Sequence, residues 1–410
     1  MSAHPSSLNP ALTPIELALD NILEQLKVTG NFQTVSLANA QGCILTEDQV
    51  ARIDVPMYDN SAMDGFVVNV EGLKQGDTLS ISQVIAAGHP GVPLDAGTAA
   101  RIFTGAAIPE NTNAVVMQEN TEHSEGRVTI LQLPSVGENI RLRGHDIETG
   151  STVLKAGHRL RAQDLGLLAS LGISEVSVCK PLKVAIINTG DEVVSPDQQL
   201  EPGQLYDSNS FTLDALLQKL GMETIKLGIV EDSLDATKGI LSRASELADC
   251  IITTGGVSVG DEDHVKAAVE SLGELNLWKL AIKPGKPFSF GYVNNKPFFG
   301  LPGNPVAVFV TFTMLVRACL LKLQGATSIK PPVYQVPAGF DLTKGGSRQE
   351  YIRVCLQEND GKQELVPFGN QGSSIVTSLS WADGLAIIPM NTLVNKGDLL
   401  DYIPFEALLS

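Results

Sequence analysis

The sequence predicts a multidomain protein of the α/β class. It combines a doubly wound parallel sheet in the second half, a β-rich N-terminal half and a small β-barrel at the C-terminal end. Three observations carry this. At 410 residues the chain exceeds a single hydrophobic core and calls for two to four domains. Strand-like and helix-like stretches alternate after Pro181, the pattern of parallel strands joined by crossover helices. Elsewhere the apolar residues fall in short runs between turn-formers, which reads as β-structure.

In chain order, residues 1–12 lack pattern. Thr13 as N-cap, Pro14 at the first position and Glu16 closing a capping box predict a helix start. Ile15, Leu19, Ile22 and Leu26 form its apolar face, and Gly30 stops it. Short β-like runs occupy about 32–146, and a short helix is expected near 162–170. KVAIINTGDEVV, METIKLGIVED and CIITTGG then read as strands leading into turns. DSNSFTLDALLQKLG, SLDATKGILSRASELA and DHVKAAVESLG read as the intervening helices. A buried helix is expected from Pro305 to Leu323, with proline where its missing N–H is harmless. Residues 331–410 form a last β unit, read as a small barrel or sandwich.

Composition narrows the function. The chain is 43% hydrophobic and 18% charged, as in ordinary globular proteins, and its net charge is −17. That charge argues against a nucleic-acid partner, and a small anionic substrate then requires locally concentrated lysines or arginines. Five cysteines without a CxxC pair, and six histidines without HExxH spacing, indicate neither a disulfide framework nor a zinc site. The first twenty residues do not read as a signal peptide. The apolar run 306–316 is short for a bilayer span, so no membrane is expected and the cytoplasm is the default.

The stretch CIITTGGVSVGDED, residues 250–263, is the most informative. Its glycines let the backbone turn and approach a ligand, and the N–H groups of the following helix start suit an anion. Its acids would repel phosphate unless a divalent cation stood between, so the loop suggests phosphate plus Mg²⁺; an ordinary βα turn with a solvated acidic helix start is the other reading. In a doubly wound sheet Glu192, Asp232 and Asp263 each follow a strand at the same edge, where ligands bind and where single acids also cap helices. Lys279, Lys283 and Lys286 lie in WKLAIKPGKP, just before the stiff loop FFGLPGNP. Solvated charge on an edge strand is possible, and a local cationic pocket is favoured. DNSAMDG holds Asp59, RIFTG holds Thr104, and GENIRLRGHDI holds Asp146; each loop could face an anion or water. Arg348, Ser373 and Ser374 fall in loops of the last unit.

DNSAMDG, RIFTGA, GENIRLRGHDI, NTGDEV, TTGGVSVGDED, WKLAIKPGKP and LPGNP follow one another in the order of the MoeA family. The chain thus resembles molybdopterin molybdenumtransferases and is similar to the E domains of gephyrin and of plant Cnx proteins, over nearly its full length. The resemblance implies an elongated homodimer. It assigns residues 30–45 with 147–180 to a linker and dimerisation domain, and 46–146 to a β-rich domain. Residues 10–29 with 181–328 would be an α/β molybdopterin-binding domain, and 329–410 a C-terminal β-barrel domain. It further implies insertion of molybdate into adenylylated molybdopterin with Mg²⁺, releasing AMP and active molybdenum cofactor. Residue by residue, Asp232 and Asp263 match acids tied to the metal and the nucleotide phosphate, while Gly255, Gly256 and Ser258 match the pterin-phosphate loop. Lys283 and Lys286 match lysines on the oxyanion, with Lys279 beside them; Pro302 and Pro305 of LPGNP are carried over as substrate-binding. Arg348 and Ser373 or Ser374 match groups from the last domain. Asp59, Thr104, Asp146 and Glu192 match further site residues, some acting across the dimer. One position departs: after LPGNPV the family commonly has serine, and this chain has Ala307.

Two other functions fit parts of this pattern. A molybdopterin adenylyltransferase would need only the α/β module, and the additional β-rich residues speak against it. A gephyrin-like scaffold would bind a partner's peptide without catalysis, and the retained acids and lysines speak against that. The implied partners are adenylylated molybdopterin, molybdate, a second copy of the chain, a molybdopterin adenylyltransferase and downstream cofactor-handling proteins.

Overall fold

The computed structural model describes residues 12–231, 233–256 and 264–408. In its α/β part, strand Lys183–Thr189 lies between Glu223–Val230 and Cys250–Thr254, and Lys296–Leu301 follows, all parallel. Side chains alternate across this sheet. Val184 and Ile186 join one core with the helices Ile15–Gln25, Asn209–Lys219 and Pro305–Leu323. Ala185 and Ile187 join the opposite core with the helices Leu234–Leu247 and His264–Leu272. The sheet is therefore covered on both faces, as the strand–helix alternation predicts.

The sheet does not stay parallel. Pro287–Val293 and Gly273–Lys279 extend it antiparallel beyond Lys296–Leu301. The connection between 293 and 296 is two residues, Asn294 and Asn295, both at positive φ (46° and 66°). A two-residue hairpin admits only antiparallel neighbours, since a parallel return needs a crossover of a dozen residues. The sequence cue was YVNNKPFF, an Asn-Asn turn between apolar runs.

The helix Ile15–Gln25 buries Ile15, Ala18, Leu19 and Ile22 as its spacing requires. Its expected capping box does not form, and Pro14 is the N-cap with no side-chain hydrogen bond. Thr13 instead bridges to Leu280: its N–H donates to the Lys279 carbonyl at 2.9 Å, and Ala281 N–H donates to the Thr13 carbonyl at 2.7 Å. A backbone partner on an adjacent strand end thus displaces the local cap. The helix also ends at Gln25, before Gly30.

The β-rich part is a six-stranded sheet in the order Ala114–Met117, Gly65–Val68, Thr98–Ile102, Thr78–Ile85, Arg127–Ile130, Thr121–Ser124. A smaller unit beside it pairs Phe32–Ser36 with Glu175–Cys179 and carries the helix Ala162–Ser170. In the C-terminal part, Gln349–Asn359 pairs with both Lys362–Pro367 and Gly384–Ile388, and Leu399–Pro404 and Tyr334–Pro337 follow. The backbone of Gly339 donates to Leu365 at 2.8 Å, which curls the sheet toward closure. Two short helices, Thr377–Trp381 and Phe405–Leu408, were too brief to show a periodicity in the sequence. The helix Pro305–Leu323 is long and apolar enough to cross a bilayer, yet 89% of its apolar window is buried in the protein core. It starts at Pro305 as expected and widens through a π-helical stretch, Phe312–Val316.

The helix Ala162–Ser170 owes its start to Asp164, whose carboxylate is buried. It accepts from Arg161 Nε (3.0 Å) and Nη2 (3.0 Å), from the Arg161 backbone (2.8 Å), and pairs with His158 Nε2 (2.7 Å). The Arg161 side chain foremost, and His158 after it, hold the Asp164 carboxyl well below its ordinary 3.8. A depressed carboxylate stabilises the fold above its unfolded pKa and loses that contribution as pH falls through the folded value. Asp164→Asn is therefore expected to cost about 1–3 kcal/mol at neutral pH. The two stability curves should converge below the ordinary 3.8. Urea melts of both proteins across acid pH measure this, and a constant gap down to the lowest pH would contradict it.

Candidate active site at the carboxyl edge of the parallel strands

Strand Cys250–Thr254 delivers Gly255 and Gly256 at the carboxyl edge of the sheet. Both have positive φ, +83° and +62°. A Cβ on Gly255 would lie 2.7 Å from the Thr189 carbonyl, and one on Gly256 would lie 2.5 Å from Val265 Cγ2. Glycine is required here by both conformation and space. Thr254 Oγ1 donates to Asn188 Oδ1 at 2.6 Å, so adjacent strand ends are tied directly below the loop.

The loop 301–305 lies against this turn. Gly303 is close enough that a Cβ there would touch Gly255 Cα at 3.8 Å. Asn209 Nδ2 donates to the Gly303 carbonyl at 2.8 Å, while its buried Oδ1 has no partner among the described residues. Pro302 is buried and Pro305 opens the helix behind it. The backbone N–H of Val306 donates to the Ser373 carbonyl at 3.0 Å, which brings the loop holding Ser373 and Ser374 to the start of that helix. Ala307, in the same first turn, is buried.

The lysines come from the outermost strand of the sheet, at the same carboxyl edge. Lys279 ends its strand opposite Pro287, and residues 280–286 project as a loop. Within that loop Ile282–Lys283 pairs, parallel, with the start of Gln349–Asn359 in the C-terminal barrel. Arg348 Nη1 donates to the Ile282 carbonyl at 3.1 Å. Gly285, at φ +107°, packs so closely on the helix Pro305–Leu323 that a Cβ would lie 2.4 Å from Thr311 Oγ1. The loop is thereby fixed against helix, barrel and Thr13 together. Lys283 and Lys286 are exposed; Lys283 Nζ lies 3.1 Å from Glu350 Oε2, and no described residue forms an ion pair with Lys286. Sequence reasoning missed Glu350, because its partner is 67 residues away. Asn209 lay unremarked inside the DSNS of a helix start.

Glu192 is exposed at the same edge, its carboxylate folded over Gly190, where a Cβ would meet it at 2.7 Å. Asp232, Ser258 and Asp263 lie outside the described residues. Among the described residues no cluster of three or more His, Cys, Asp or Glu side chains could hold a metal.

Asp59, Thr104 and Asp146 gather elsewhere, at one end of the β-rich sheet. Thr104 donates through its backbone (2.8 Å) and hydroxyl (2.7 Å) to Asp64 Oδ1, and those bonds hold the Asp64 carboxyl below its usual range. Asp59 Oδ1 accepts from the Arg143 backbone at 2.7 Å. Asp146 donates from its backbone to Val55 at 3.0 Å and leaves its carboxylate exposed. Arg143 itself pairs with Asp54, whose carboxyl is lowered to about 2, chiefly by the backbone and hydroxyl of Thr149. Beside them the Arg101 guanidinium sits 5.1 Å over Phe66 and 4.9 Å over Phe103. Among the described residues no hydrogen bond or ion pair links this cluster to the sheet edge.

Residues 13–172 match the family described as "MoeA N-terminal region (domain I and II)", 185–322 "Probable molybdopterin binding domain", and 335–405 "MoeA C-terminal region (domain IV)". The chain is 40% identical to a molybdopterin molybdenumtransferase of Haemophilus influenzae over 400 residues, covering 96% of this chain and 99% of the relative. It is 37% identical to one of Nostoc sp., covering 96% and 93%. Among solved structures, a molybdopterin biosynthesis moeA protein from Pyrococcus horikoshii OT3 superposes with a TM-score of 0.82 at 29% identity, covering 96% of this chain and 100% of the other. Another, described as from Pyrococcus horikosii, gives 0.78 at 32% identity, covering 96% and 99%. By identity and by coverage at both ends, the chain belongs to the molybdopterin molybdenumtransferase family.

Proposed function

We propose that this protein transfers molybdate into adenylylated molybdopterin, releasing AMP, in the cytoplasm and as a homodimer. The observation that carries the reading is the convergence of three segments on one sheet edge: the Gly255 turn, the loop 301–305, which accepts from the Gly255 N–H at Leu301 (3.1 Å) and from Asn209 at Gly303, and the lysine loop held by Gly285 and Arg348. Backbone N–H groups and a helix N-terminus favour a phosphate there. Lys283 and Lys286 supply the positive charge that a molybdate dianion needs in a protein of net charge −17. The described groups bind and orient; no Ser-His-Asp or Cys-His nucleophile is required.

The donor set suits Mg²⁺. The acids assigned to it by the family resemblance, Asp232 and Asp263, lie outside the described residues, and their carboxylates are the hard oxygen ligands that Mg²⁺ takes. Bound there, Mg²⁺ would neutralise charge on the departing phosphate. Asp59, Thr104 and Asp146, which no hydrogen bond or ion pair among the described residues links to that edge within one chain, complete the site from a second subunit in this reading, which is the reason for proposing the homodimer.

One experiment tests both parts: AMP release from adenylylated molybdopterin on adding molybdate, titrated with Mg²⁺. Asp263→Asn is expected to lose release with an unchanged thermal melt. A capping role alone predicts a near-neutral effect, since Asn caps about as well as Asp. Asp59→Asn should also lose release. Mixed subunits of the two variants should recover about a quarter of wild-type activity, because half the dimers carry one intact site of two. Wild-type release by Asp263→Asn at every Mg²⁺ concentration rejects the metal role. No recovery in verified mixed dimers rejects the shared site.

A further inference from the structure

A second cationic region lies well away from that edge. Between the small unit that carries Cys43 and Cys179, the α/β core and the segment entering the C-terminal barrel there is an open cleft of about 1200 Å³. None of its lining residues belongs to the Gly255 turn, the lysine loop, the loop 301–305 or the Ser373 loop. Its walls carry Arg159, Arg161, Lys219, Arg317 and Lys330 against a single carboxylate, Glu406. In a chain of net charge −17, five cations around one cleft, of which Arg161 is neutralised by Asp164, form a local reversal of sign that concentrates anions.

The state of these cations points the same way. Arg161 is paired with Asp164, and Arg317 is committed to the carbonyls of Leu408 (2.6 Å) and Ile329 (3.0 Å). Among the described residues Arg159 has carbonyl partners alone, Gly42 at 3.1 Å and Lys219 at 3.4 Å, and its buried Nη1 has none. Lys219 and Lys330 are exposed and form no ion pair among the described residues. Burial, and after it the charge of Arg159, pulls the Arg317 guanidinium down to about 10, so the two guanidiniums stand within each other's field. Burial lowers Arg159 also. An anion between the walls would relieve that repulsion and meet the spare donors. Gln324 on the same lining has a buried Oε1 without a partner among the described residues, which suits a ligand that also carries a hydroxyl or amino donor.

We propose that this cleft binds a compound carrying two or more phosphate groups, bridging Arg159 to Lys219 and Lys330. More than one phosphate follows from the arrangement: the cations sit on three separate segments around a cleft far larger than a single phosphate. The site is independent of the oxyanion locus at Lys283 and Lys286.

The test is calorimetric titration of inorganic tripolyphosphate into the full-length Lys283→Ala/Lys286→Ala protein, which lacks the other anion locus. That protein is expected to bind tripolyphosphate and to melt at a higher temperature with it. Adding Lys219→Gln and Lys330→Gln, exposed side chains whose replacement leaves packing intact, should weaken binding by about tenfold or more. Arg159→Gln should weaken it further, and monophosphate should bind far less tightly than tripolyphosphate. Absence of tripolyphosphate binding in the starting variant, or superimposable titrations after Lys219→Gln/Lys330→Gln, overturns the proposal.

Discussion

Replacing both Lys283 and Lys286 with alanine is expected to lower molybdate affinity by roughly 10²–10⁴-fold, each charge-assisted contact contributing about 1.5–3 kcal/mol. The two single variants should not be equal. Lys283 already faces both oxygens of Glu350, at 3.2 and 3.1 Å, so part of its charge is spent within the protein. Lys286 forms no such pair among the described residues, and Lys286→Ala should therefore cost more than Lys283→Ala. Glu350→Gln removes the competing carboxylate and should tighten molybdate binding. Calorimetric titration of molybdate separates these outcomes; superimposable curves for wild type and the double variant would move the oxyanion pocket elsewhere.

Arg353→Leu should be the most damaging single change in the C-terminal barrel. The Arg353 side chain is 1% exposed. Its Nε donates to Ser378 Oγ at 3.0 Å and its Nη2 to the Gly372 carbonyl at 3.1 Å, and no carboxylate among the described residues pairs with it. Burial pushes its guanidinium down to about 10. Leucine would leave those acceptors unsatisfied and a void beside them, an expected loss of about 3–5 kcal/mol. The damage should reach the site, because the Gly372 carbonyl anchors the loop whose Ser373 receives Val306. Arg353→Lys keeps the charge without the planar fork and should recover little. Urea denaturation with a parallel molybdate titration tests both claims, and a stability within about 1 kcal/mol of wild type would refute them.

These two cases mark where the sequence is legible. The Gly255-Gly256 turn, the Pro305 helix start and the strand–helix alternation are local signals, carried by φ preference and periodicity, and each appears where it was read. The pairing of Lys283 with Glu350, the seating of Ile282–Lys283 on the barrel and the bridge from Thr13 to Leu280 join residues 67 to 267 positions apart. No spacing rule encodes such contacts. Thr13 shows the conflict most directly: its side chain and its neighbours Pro14 and Glu16 satisfy a capping rule, yet a distant strand end offers its backbone two hydrogen bonds. The buried Arg353 was invisible for a related reason, since an arginine in YIRVC reads as a strand's solvent face until the loop that covers it is known.

The placement of the helix Ile15–Gln25 in the same core as strand Lys183–Thr189 has a consequence for synthesis. That helix leaves the ribosome 158 residues before its first sheet partner (183 − 25). At translation rates of about 5–20 residues per second it waits roughly 8–30 s, its apolar face uncovered, while the intervening β-rich segment has time to fold as a unit. Prior folding of that segment would bring the two ends of a long loop together before the α/β core assembles. The entropy of closing it would then be met largely by the inserted domain rather than by the sheet that needs the helix.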